Sequence, residues 1–519
     1  DHAWLHIIIL VVLIATVFYL VRNNIFTRIN SYLTNNEKTF IRIRNICLII
    51  IGISGAAWVL LTQSNAGADQ YYVLDAARGL RNGDYSAFQY NGYIAKYTNQ
   101  IGLLFIEYII GFIVGDYNYL FWQLLNVVMI VFTYKMFSDI LGILKLPRIA
   151  SLSTIILGIL FFPWTLYSVF IYGNVAGLFF ATAAFKYTML FIDSLKELNS
   201  FKISYIVISA VSMMLSVMVK NNYLIFMIAL IIYTVAEALR HRNIQIILVT
   251  CAVIVGFAIQ AIVPKLVIEK ISGCNLGSGA SSWTWIAMGL HPSDGNVYAD
   301  GWYSGRIAAF YENNDYNTKK EAEVSKAEIK GYIDTYKNDH KAFTSFLSKK
   351  VASQWNNPEF QCFWITNVRG SHIEKSVIIS EVLSLEGSTP FIAFLNIMQS
   401  IILFGSMLFA VHALINGIFA GATVLPLTFI GGFIFHLFWE GKCQYTLPYF
   451  MLLLPLSVIG FYSMAKKLAD IKPKHLYKCG VFAVILLSIA IIFNRFIILN
   501  QDNKSYRQYR KYTIEQQKL

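Results

Sequence analysis

The sequence predicts an all-α polytopic membrane protein: a bundle of about 12 transmembrane helices with juxtamembrane helices and one mainly helical extracellular domain. Of the 519 residues, 56% are hydrophobic and only 14% are charged, whereas a soluble domain carries about a quarter charged residues. Apolar stretches of roughly 20 residues, the length that a helix needs to cross a bilayer, recur along the chain. Much of the apolar surface is therefore expected to face lipid.

Twelve segments have the length and composition of spanning helices. They lie near 4–21, 45–62, 118–137, 149–164, 174–193, 202–219, 222–239, 243–264, 390–413, 418–438, 445–464 and 479–499. These spans divide the chain into four predicted parts. They are an N-terminal transmembrane module (1–264) that includes a first external loop (63–117), an extracellular domain (265–389), a C-terminal transmembrane module (390–499) and a polar tail (500–519).

Basic residues in the short loops favour one orientation. The segments 22–44, 240–242 and 466–478 are rich in Lys and Arg, and alternating crossings put all three on one side. That side is the cytoplasm by the positive-inside rule. The same alternation puts the basic tail 507–511 outside, a conflict that one miscounted span at either end would explain.

Two segments outside the spans are predicted to be helical. In the extracellular domain, which holds 13 Lys/Arg and 14 Asp/Glu, residues 318–337 and 339–356 have the pattern of amphipathic helices. The stretch 99–114 is apolar but short, and it carries Glu107. It is predicted to lie on the outer leaflet, because as a span it would move Lys135, Lys145 and Arg148 outside.

Composition and missing motifs exclude several classes of function. The net charge of +13 fits cytoplasmic anchoring, since no basic patch on a soluble face indicates nucleic-acid binding. There is no Walker A loop, no dinucleotide-binding GxGxxG and no HExxH motif. No CxxC pair indicates a zinc or thioredoxin-type site. Cys274 and Cys362 both fall in the extracellular domain, where a disulfide and two thiols remain open alternatives.

Two acidic residues flank the first external loop. Asp69 comes just where the chain leaves an apolar span, and a carboxylate at that depth is costly, so such residues tend to be functional. The alternative is that Asp69 caps a helix over 70–80. Asp116 closes the interfacial segment and could equally cap the span that begins at 118. Two acids that bracket one amphipathic segment are more informative than either acid alone.

A second set of polar residues lies at the outer ends of later spans. Lys220 ends one span, where snorkelling to the interface is the simpler explanation. Glu440 and Lys442 occupy a short turn between two apolar helices, followed by Gln444 and Tyr445. An aromatic belt explains the tyrosine. It explains the two charges less well, and they could pair with each other or with a ligand.

Aromatic residues are frequent in the predicted extracellular domain. Rings beside Asn, Gln and acidic groups suit sugar binding, because a ring stacks on a sugar face and polar groups bind hydroxyls. Docking of the domain onto the membrane is an equally good explanation. The residues concerned are Trp283, Trp285, Trp302, Tyr303 and Trp355.

In these features the chain resembles the GT-C superfamily of membrane glycosyltransferases, in particular the bacterial, Gram-positive-type members that decorate cell-wall polysaccharides or teichoic acids. The resemblance covers roughly 45–465. Asp69 after the first core span, Asp116 near the end of the external loop and a large external domain after the seventh core span match the family layout. The stretches 172–174, 220–222 and 440–445 resemble segments of the bacterial members. The extra span at 4–21 departs from the pattern.

The resemblance implies an inverting sugar transfer on the outer face of the plasma membrane. The donor would be a polyprenyl-phosphate sugar such as an undecaprenyl-phosphate sugar, and the acceptor a hydroxyl of a cell-surface glycan or lipid-linked molecule. Asp69 or Asp116 would be the general base. Lys442, with Lys220, Arg78 or Arg81, would bind the phosphate. Glu440, Gln444, Tyr445 and the aromatic residues of the external domain would contact substrate. No cofactor is required, and a divalent metal is not indicated.

Two other functions are compatible with the sequence. A transporter or flippase for a lipid-linked sugar would share the aromatic, acidic outer face, but it should show inverted repeats or broken helices near the midplane. A non-catalytic membrane protein of cell-wall assembly is the third hypothesis. The enzyme hypothesis is preferred because no convincing repeat and few deep intramembrane charges are present.

Overall fold

The computed structural model describes residues 11–470, apart from 14, 18, 21, 198–199, 294–298, 368–376, 385 and 418–419. The described residues form helices joined by turns and contain no β-strand. Trp302 and Gly441 are joined by an isolated parallel β-bridge. The predicted span 479–499 and the polar tail lie outside the described residues, and the predicted span 4–21 lies largely outside them.

The helices are numbered here in chain order. They are α1 (Ile25–Asn35), α2 (Glu37–Thr62), α3 (Asp69–Asn82), α4 (Tyr93–Lys96), α5 (Ile101–Val114), α6 (Tyr119–Ile143), α7 (Arg148–Leu160), α8 (Pro163–Leu166), α9 (Asn174–Glu197), α10 (Ile203–Val219), α11 (Leu224–His241), α12 (Ile247–Ser272), α13 (Ser282–Leu290), α14 (Arg306–Asn313), α15 (Thr318–Asn338), α16 (His340–Trp355), α17 (Cys362–Asn367), α18 (Val377–Leu383), α19 (Thr389–Asn416), α20 (Val424–Phe438), α21 (Cys443–Met451) and α22 (Leu453–Asp470).

Within the described residues, six helices are long and apolar enough to cross a bilayer, or up to nine if each bent pair of helices is one span. The chain is therefore a multi-pass α-helical membrane protein. Ten of the predicted spans coincide with apolar helices, but α10 and α20 are short, and α7–α8 and α21–α22 are bent by 60° and 43°. The finer prediction of about 12 spans is not established by these lengths.

Small residues allow the apolar helices to pack closely. A Cβ atom built on Gly405 of α19 would lie 2.0 Å from the Ser457 hydroxyl of α22, so no larger residue fits there. Hydrogen bonds between helices satisfy the hydroxyl groups, as where Ser216 of α10 donates to the Gly177 carbonyl of α9 over 2.7 Å. Both features are typical of helix packing in membranes, where lipid tails provide no hydrophobic drive for helix association.

Basic side chains cluster around Asp139, near the C-terminal end of α6. The Asp139 carboxylate accepts from Lys186 at 2.7 Å and from Lys135 at 2.9 Å, and Arg44 lies 3.4 Å away. Nearby, Arg148 donates to the Leu33 carbonyl of α1 over 2.9 Å. Three cations thus surround one acid at this end of the bundle.

The first loop contains α3 and α5, which pack against each other at the opposite end of α6. Arg81 of α3 donates to the carbonyls of Glu107 and Tyr108 in α5 at 3.0 and 3.1 Å. The 14 residues of α5 extend only about 21 Å, which is shorter than the hydrocarbon core. With the preceding residues, α5 forms a pair bent by 97°, either a broken span or a re-entrant loop.

The segment from 273 to 388 is held together by capped helices and a buried acid. Asn317 and Asp339 cap α15 and α16, because each side chain accepts from two backbone N–H groups of the first turn. Glu321 of α15 accepts from the Ser281 backbone at 2.7 Å and from the Thr284 hydroxyl at 2.6 Å. The two helices coincide with the predicted amphipathic segments. The preceding span α12 continues beyond the predicted end at 264 to Ser272.

Lys350 joins this segment to the transmembrane helices. Its side chain is fully buried, and its ammonium group donates to the carbonyls of Leu437 at 3.1 Å, Trp439 at 2.8 Å and Gly289. Burial lowers the pKa of Lys350 to about 7. The contact brings together the C-terminal ends of α13 and α20, whose last carbonyls have no partner within their helices. It therefore fixes the start of the turn that follows α20.

We expect Lys350→Ala to lower the free energy of unfolding by about 1–3 kcal/mol, because buried carbonyl groups would lose their donor. Chemical unfolding of the purified protein in detergent, followed by tryptophan fluorescence, measures the change. Lys341→Ala on the exposed start of α16 is the matched control and should change stability by less than about 0.5 kcal/mol. Equal stabilities of the two variants would contradict a structural role for the Lys350 ammonium.

Candidate functional site

Four charged side chains meet at the end of the bundle opposite Asp139. They are Asp69, Lys220, Glu440 and Lys442, from the start of α3, the turn after α10 and the turn between α20 and α21. Burial lowers the pKa of Lys220, the negative charges of Asp69 and Glu440 oppose that shift, and the positive charge of Lys442 adds to it. The four groups therefore lie within electrostatic reach of one another, although 373 positions separate the first from the last (442 − 69).

Asp69 is held by a tyrosine rather than used as a helix cap. The Tyr93 hydroxyl of α4 donates to Asp69 Oδ1 over 2.9 Å, and Ala68 is the N-cap residue of α3. Ala68 has φ 50° and ψ −132°, a backbone conformation that is costly for a residue with a Cβ atom. Such strain persists only where surrounding contacts impose it and is concentrated at functional sites. The capping explanation of Asp69 is therefore not supported.

Lys220 lies over an aromatic ring. Its Nζ atom is 3.5 Å from the centroid of the Tyr172 ring and 5.9 Å from that of Tyr445. The Tyr172 hydroxyl in turn accepts from the Gln100 amide over 2.6 Å. Burial lowers the pKa of Lys220 to about 7, although the nearby acids oppose the shift. The charge on this side chain is therefore sensitive to small changes in its surroundings.

Glu440 and Lys442 share the short turn between α20 and α21. The Tyr445 hydroxyl donates to Glu440 Oε1 over 3.1 Å, and burial raises the pKa of Glu440. Lys442 Nζ lies 4.4 Å from the centroid of the Tyr303 ring and 6.0 Å from that of Tyr445. The turn therefore contacts the segment 273–388 at Tyr303.

A close backbone approach brings the Tyr172 and Lys220 turns together. Gly173 has φ +79°, and a Cβ atom built on it would lie 2.2 Å from the Val219 carbonyl oxygen. Only glycine satisfies both constraints without rearrangement. The stretches 172–174 and 220–222, which the resemblance singled out in the sequence, therefore pack against each other in the fold.

A small cavity opens beside Lys220. It is lined by Asn174, Lys220, Asn222, Tyr223, Tyr445, Pro448 and Tyr449. Within the described part of the chain, the side-chain oxygens of Asn174 and Gln444 are buried and have no hydrogen-bond donor. Buried acceptors without a donor are rare in folded proteins. A ligand that carries hydroxyl groups would supply the missing donors.

The other predicted acid lies in a second cluster. Asp116 forms an ion pair with Arg81, and Asn82 donates to it over 3.4 Å. The Arg81 guanidinium holds the pKa of Asp116 below its usual value. Asp116 does not cap α6, since Asn118 is the N-cap residue and accepts from the Phe121 backbone. Arg78 lies within electrostatic reach of Asp116 and forms an ion pair with Asp75 at 3.1 Å.

The predicted tryptophans have different environments. Trp285 stacks on Trp439 with ring centroids 6.0 Å apart and contacts Tyr97 near the site. Trp283 is 40% exposed and lies under Lys326. Trp302 and Trp355 are buried: Trp302 donates to the Ser353 hydroxyl over 2.7 Å, and Trp355 packs against Phe429 and Phe433. A sugar therefore has no free ring face at these last two residues.

Several residues of the site did not emerge from the sequence as site residues. Tyr93 orients Asp69, and Tyr97 lies close to Tyr303, but tyrosine is common at membrane interfaces and these two had no distinguishing pattern. Asn174 and Tyr172 lay in a stretch that resembled the family, without an assigned role. Lys350 had no sequence signal, because a charged residue in an amphipathic helix is expected to be exposed.

Comparisons with known proteins identify no relative: no protein-family model, no curated protein and no solved structure matches this chain. Among the described residues, no group of three or more His, Cys, Asp or Glu side chains has an arrangement that could hold a metal ion. Cys274 and Cys362 are both thiols.

We expect Gly173→Ala to disrupt the site, because the new Cβ atom would meet the Val219 carbonyl and the residue would keep a positive φ. The cost is about 1–3 kcal/mol in the free energy of unfolding. Gly142→Ala is the matched control, because no atom lies within 4 Å of a Cβ atom built there and alanine favours the helix. Chemical unfolding of both variants in detergent measures the difference. A Gly173 variant as stable as the wild type would contradict the close approach.

Proposed function

We propose that this protein transfers a sugar from a polyprenyl-phosphate donor to a hydroxyl of a cell-surface glycan or lipid-linked acceptor, with inversion at the anomeric carbon. The observation that carries the proposal is the meeting of a positioned carboxylate, Asp69, with two lysines, Lys220 and Lys442, at one end of a membrane bundle. An acid and two cations are the groups that such a transfer needs. The resemblance to GT-C glycosyltransferases remains part of this proposal.

Asp69 is the proposed general base. The acceptor hydroxyl loses its proton to the Asp69 carboxylate as its oxygen forms the new bond to the anomeric carbon. The bond from that carbon to the phosphate oxygen breaks, and polyprenyl phosphate leaves. Tyr93 donates to one carboxylate oxygen and so leaves the other to face the acceptor. Asp116 suits the role less well, because Arg81 is paired with its carboxylate.

Lys220 and Lys442 are the proposed phosphate ligands. Both ammonium groups lie beside the Tyr445 ring, at 5.9 and 6.0 Å from its centroid, and both are proposed to contact one phosphate. Their charge would stabilise the leaving group as negative charge develops on it. This chemistry requires no metal. Arg78 and Arg81, in the cluster with Asp116, are not included in the proposed phosphate site.

The remaining polar groups suit a sugar. The buried acceptors on Asn174 and Gln444 would receive hydroxyl donors, and Glu440, held by Tyr445, would bind a further hydroxyl. Tyr303 and Trp285 stand at the rim, where rings can stack on the apolar face of a pyranose. The sugar is thus proposed to lie between the Lys220 cavity and the external segment.

The site is proposed to face the outside of a bacterial plasma membrane. The cations around Asp139 lie at the other end of the bundle, and the positive-inside rule assigns that end to the cytoplasm. A lipid-linked donor would diffuse in the outer leaflet with its phosphate at the depth of Lys220. The side of the membrane is supported by charge and not by any relative of known topology.

We expect Asp69→Asn to reduce sugar transfer by roughly 10²–10⁴-fold with little change in donor affinity, because the base is lost and the phosphate ligands remain. The assay is transfer of radiolabelled sugar from a panel of polyprenyl-phosphate sugars to wall-glycan acceptors by protein in nanodiscs. Asp116→Asn is the matched control and should retain most activity. Transfer that survives Asp69→Asn but not Asp116→Asn would reverse the assignment. Donor movement between leaflets without transfer would indicate a flippase.

We expect the KM for the donor to rise as pH increases through about 7, because Lys220 must be charged to bind phosphate and its pKa is lowered to about 7. Between pH 6.5 and 8.5 the rise should be roughly 25-fold, because the charged fraction of a lysine with a pKa of about 7 falls by that factor. Lys220→Arg should flatten the profile, since arginine stays protonated over this range. A wild-type KM independent of pH, or the same slope in Lys220→Arg, would show that Lys220 does not bind the phosphate.

A further inference from the structure

We propose that the exposed face of α3, together with Tyr117, is a binding platform for an uncharged saccharide chain that leads to Asp69. The platform consists of Tyr71, Tyr72, Asp75, Arg78 and Tyr117. Its identification as the acceptor subsite rests on the proposed sugar transfer. The geometry of these residues by itself supports the binding of a saccharide there, and this binding can be tested without any transfer assay.

The platform presents aromatic rings to its surroundings. Tyr71 is 39% exposed and Tyr72 is 50% exposed, and the Tyr71 ring is nearly parallel to that of Tyr117, with centroids 6.0 Å apart and planes 2° apart. The opposite face of α3 is buried through Val73, Ala77 and Leu80. The tyrosines are thus held on a fixed helix surface, and a rigid ring costs little conformational entropy on binding.

Charged groups between the rings indicate water rather than lipid on this face. The side chains of Asp75 and Arg78 are 36% and 38% exposed and pair at 3.1 Å. The Tyr117 hydroxyl donates to Asp75, and the Arg78 guanidinium lies 5.4 Å from the Tyr117 centroid. A lipid-facing aromatic belt would not place an ion pair at its centre. Rings for the C–H faces of a sugar, with a carboxylate and a guanidinium for its hydroxyls, form a carbohydrate surface.

The platform is continuous with the site. Tyr71 and Tyr72 lie 5.8 Å apart between ring centroids, and Tyr72 stacks on Tyr93 at 5.0 Å. Tyr93 holds Asp69 through the 2.9 Å hydrogen bond. Asp69 and Tyr72 are three residues apart on α3 and therefore share one side of the helix. A chain that stacks on the tyrosines would end with its terminal sugar beside the Asp69 carboxylate.

The charge of this face selects the class of ligand. Asp75 is paired with Arg78, and the neighbouring Asp116 with Arg81, so the four groups sum to zero. A polyphosphate polymer such as a teichoic acid would need an excess of cations along its path. No excess exists among these paired groups. The balance favours an uncharged glycan and narrows the acceptors implied by the resemblance.

Saturation-transfer NMR on the full-length protein in nanodiscs tests the platform. The probes are chitohexaose and maltohexaose as uncharged saccharides, and poly(glycerol phosphate) as the anionic polymer. We expect at least one uncharged saccharide to bind the wild type, and the double variant Tyr71→Ala, Tyr72→Ala to bind it at least about tenfold more weakly, because two of the three rings of the platform are removed. Poly(glycerol phosphate) should bind more weakly than the saccharide.

Two controls separate the platform from the catalytic proposal. Tyr32→Ala removes a tyrosine of similar exposure, 57%, near the basic end of the bundle and should leave binding unchanged. Asp69→Asn should reduce transfer by roughly 10²–10⁴-fold and keep saccharide binding, so a failure of the platform proposal can be distinguished from a failure of the catalytic proposal. Unchanged binding in the double variant overturns the platform. So does a wild type that binds only poly(glycerol phosphate), or none of the three probes.

Discussion

The candidate site depends on mutual compensation of buried charge. Asp69 and Glu440 oppose Lys220 and Lys442 in a region where burial shifts the pKa of Lys220 and Glu440 toward their neutral forms. A charge that is taken out of water without a partner costs several kcal/mol, whereas a paired set is tolerated. The two acids and the two lysines therefore offset one another's charge across the cluster. A phosphate bound beside the two lysines would add negative charge to this cluster and would favour uptake of a proton by the Asp69 carboxylate.

This charge cluster is assembled by backbone contacts that lie outside it. The turn of Tyr172 can reach Lys220 only because Gly173 approaches the Val219 carbonyl. The turn that carries Glu440 and Lys442 begins at carbonyls that the Lys350 ammonium binds. Gly441 lies between Glu440 and Lys442 in that turn. It donates its backbone N–H over 2.8 Å to the carbonyl of Gly301, two residues before Tyr303. Both ends of the site are thus fixed by residues that need no contact with substrate.

The sequence predicted the helices well and the site only in part, for a physical reason. A spanning helix is a local property, so ten apolar runs coincide with apolar helices. The pairing of Asp116 with Arg81 and of Asp69 with Tyr93 is tertiary, and spacing along the chain could not distinguish the two acids. Tertiary packing also decides the role of Trp302 and Trp355. Composition alone made these two residues candidates for sugar binding, but both are buried. Whether a ring is exposed is decided by packing.

Helix α3 connects the two proposed binding surfaces. The helical repeat puts Asp69, Tyr72 and Asp75 on one side at intervals of three residues, so base and platform belong to one rigid element. Arg81, near the other end of α3, is tied to Asp116 and to two carbonyls of α5. These contacts hold α3 against α5. The sequence made Asp116 a second candidate for the catalytic base. In the proposed mechanism Asp116 instead has a positioning role, because its ion pair with Arg81 helps to hold the helix that carries Asp69.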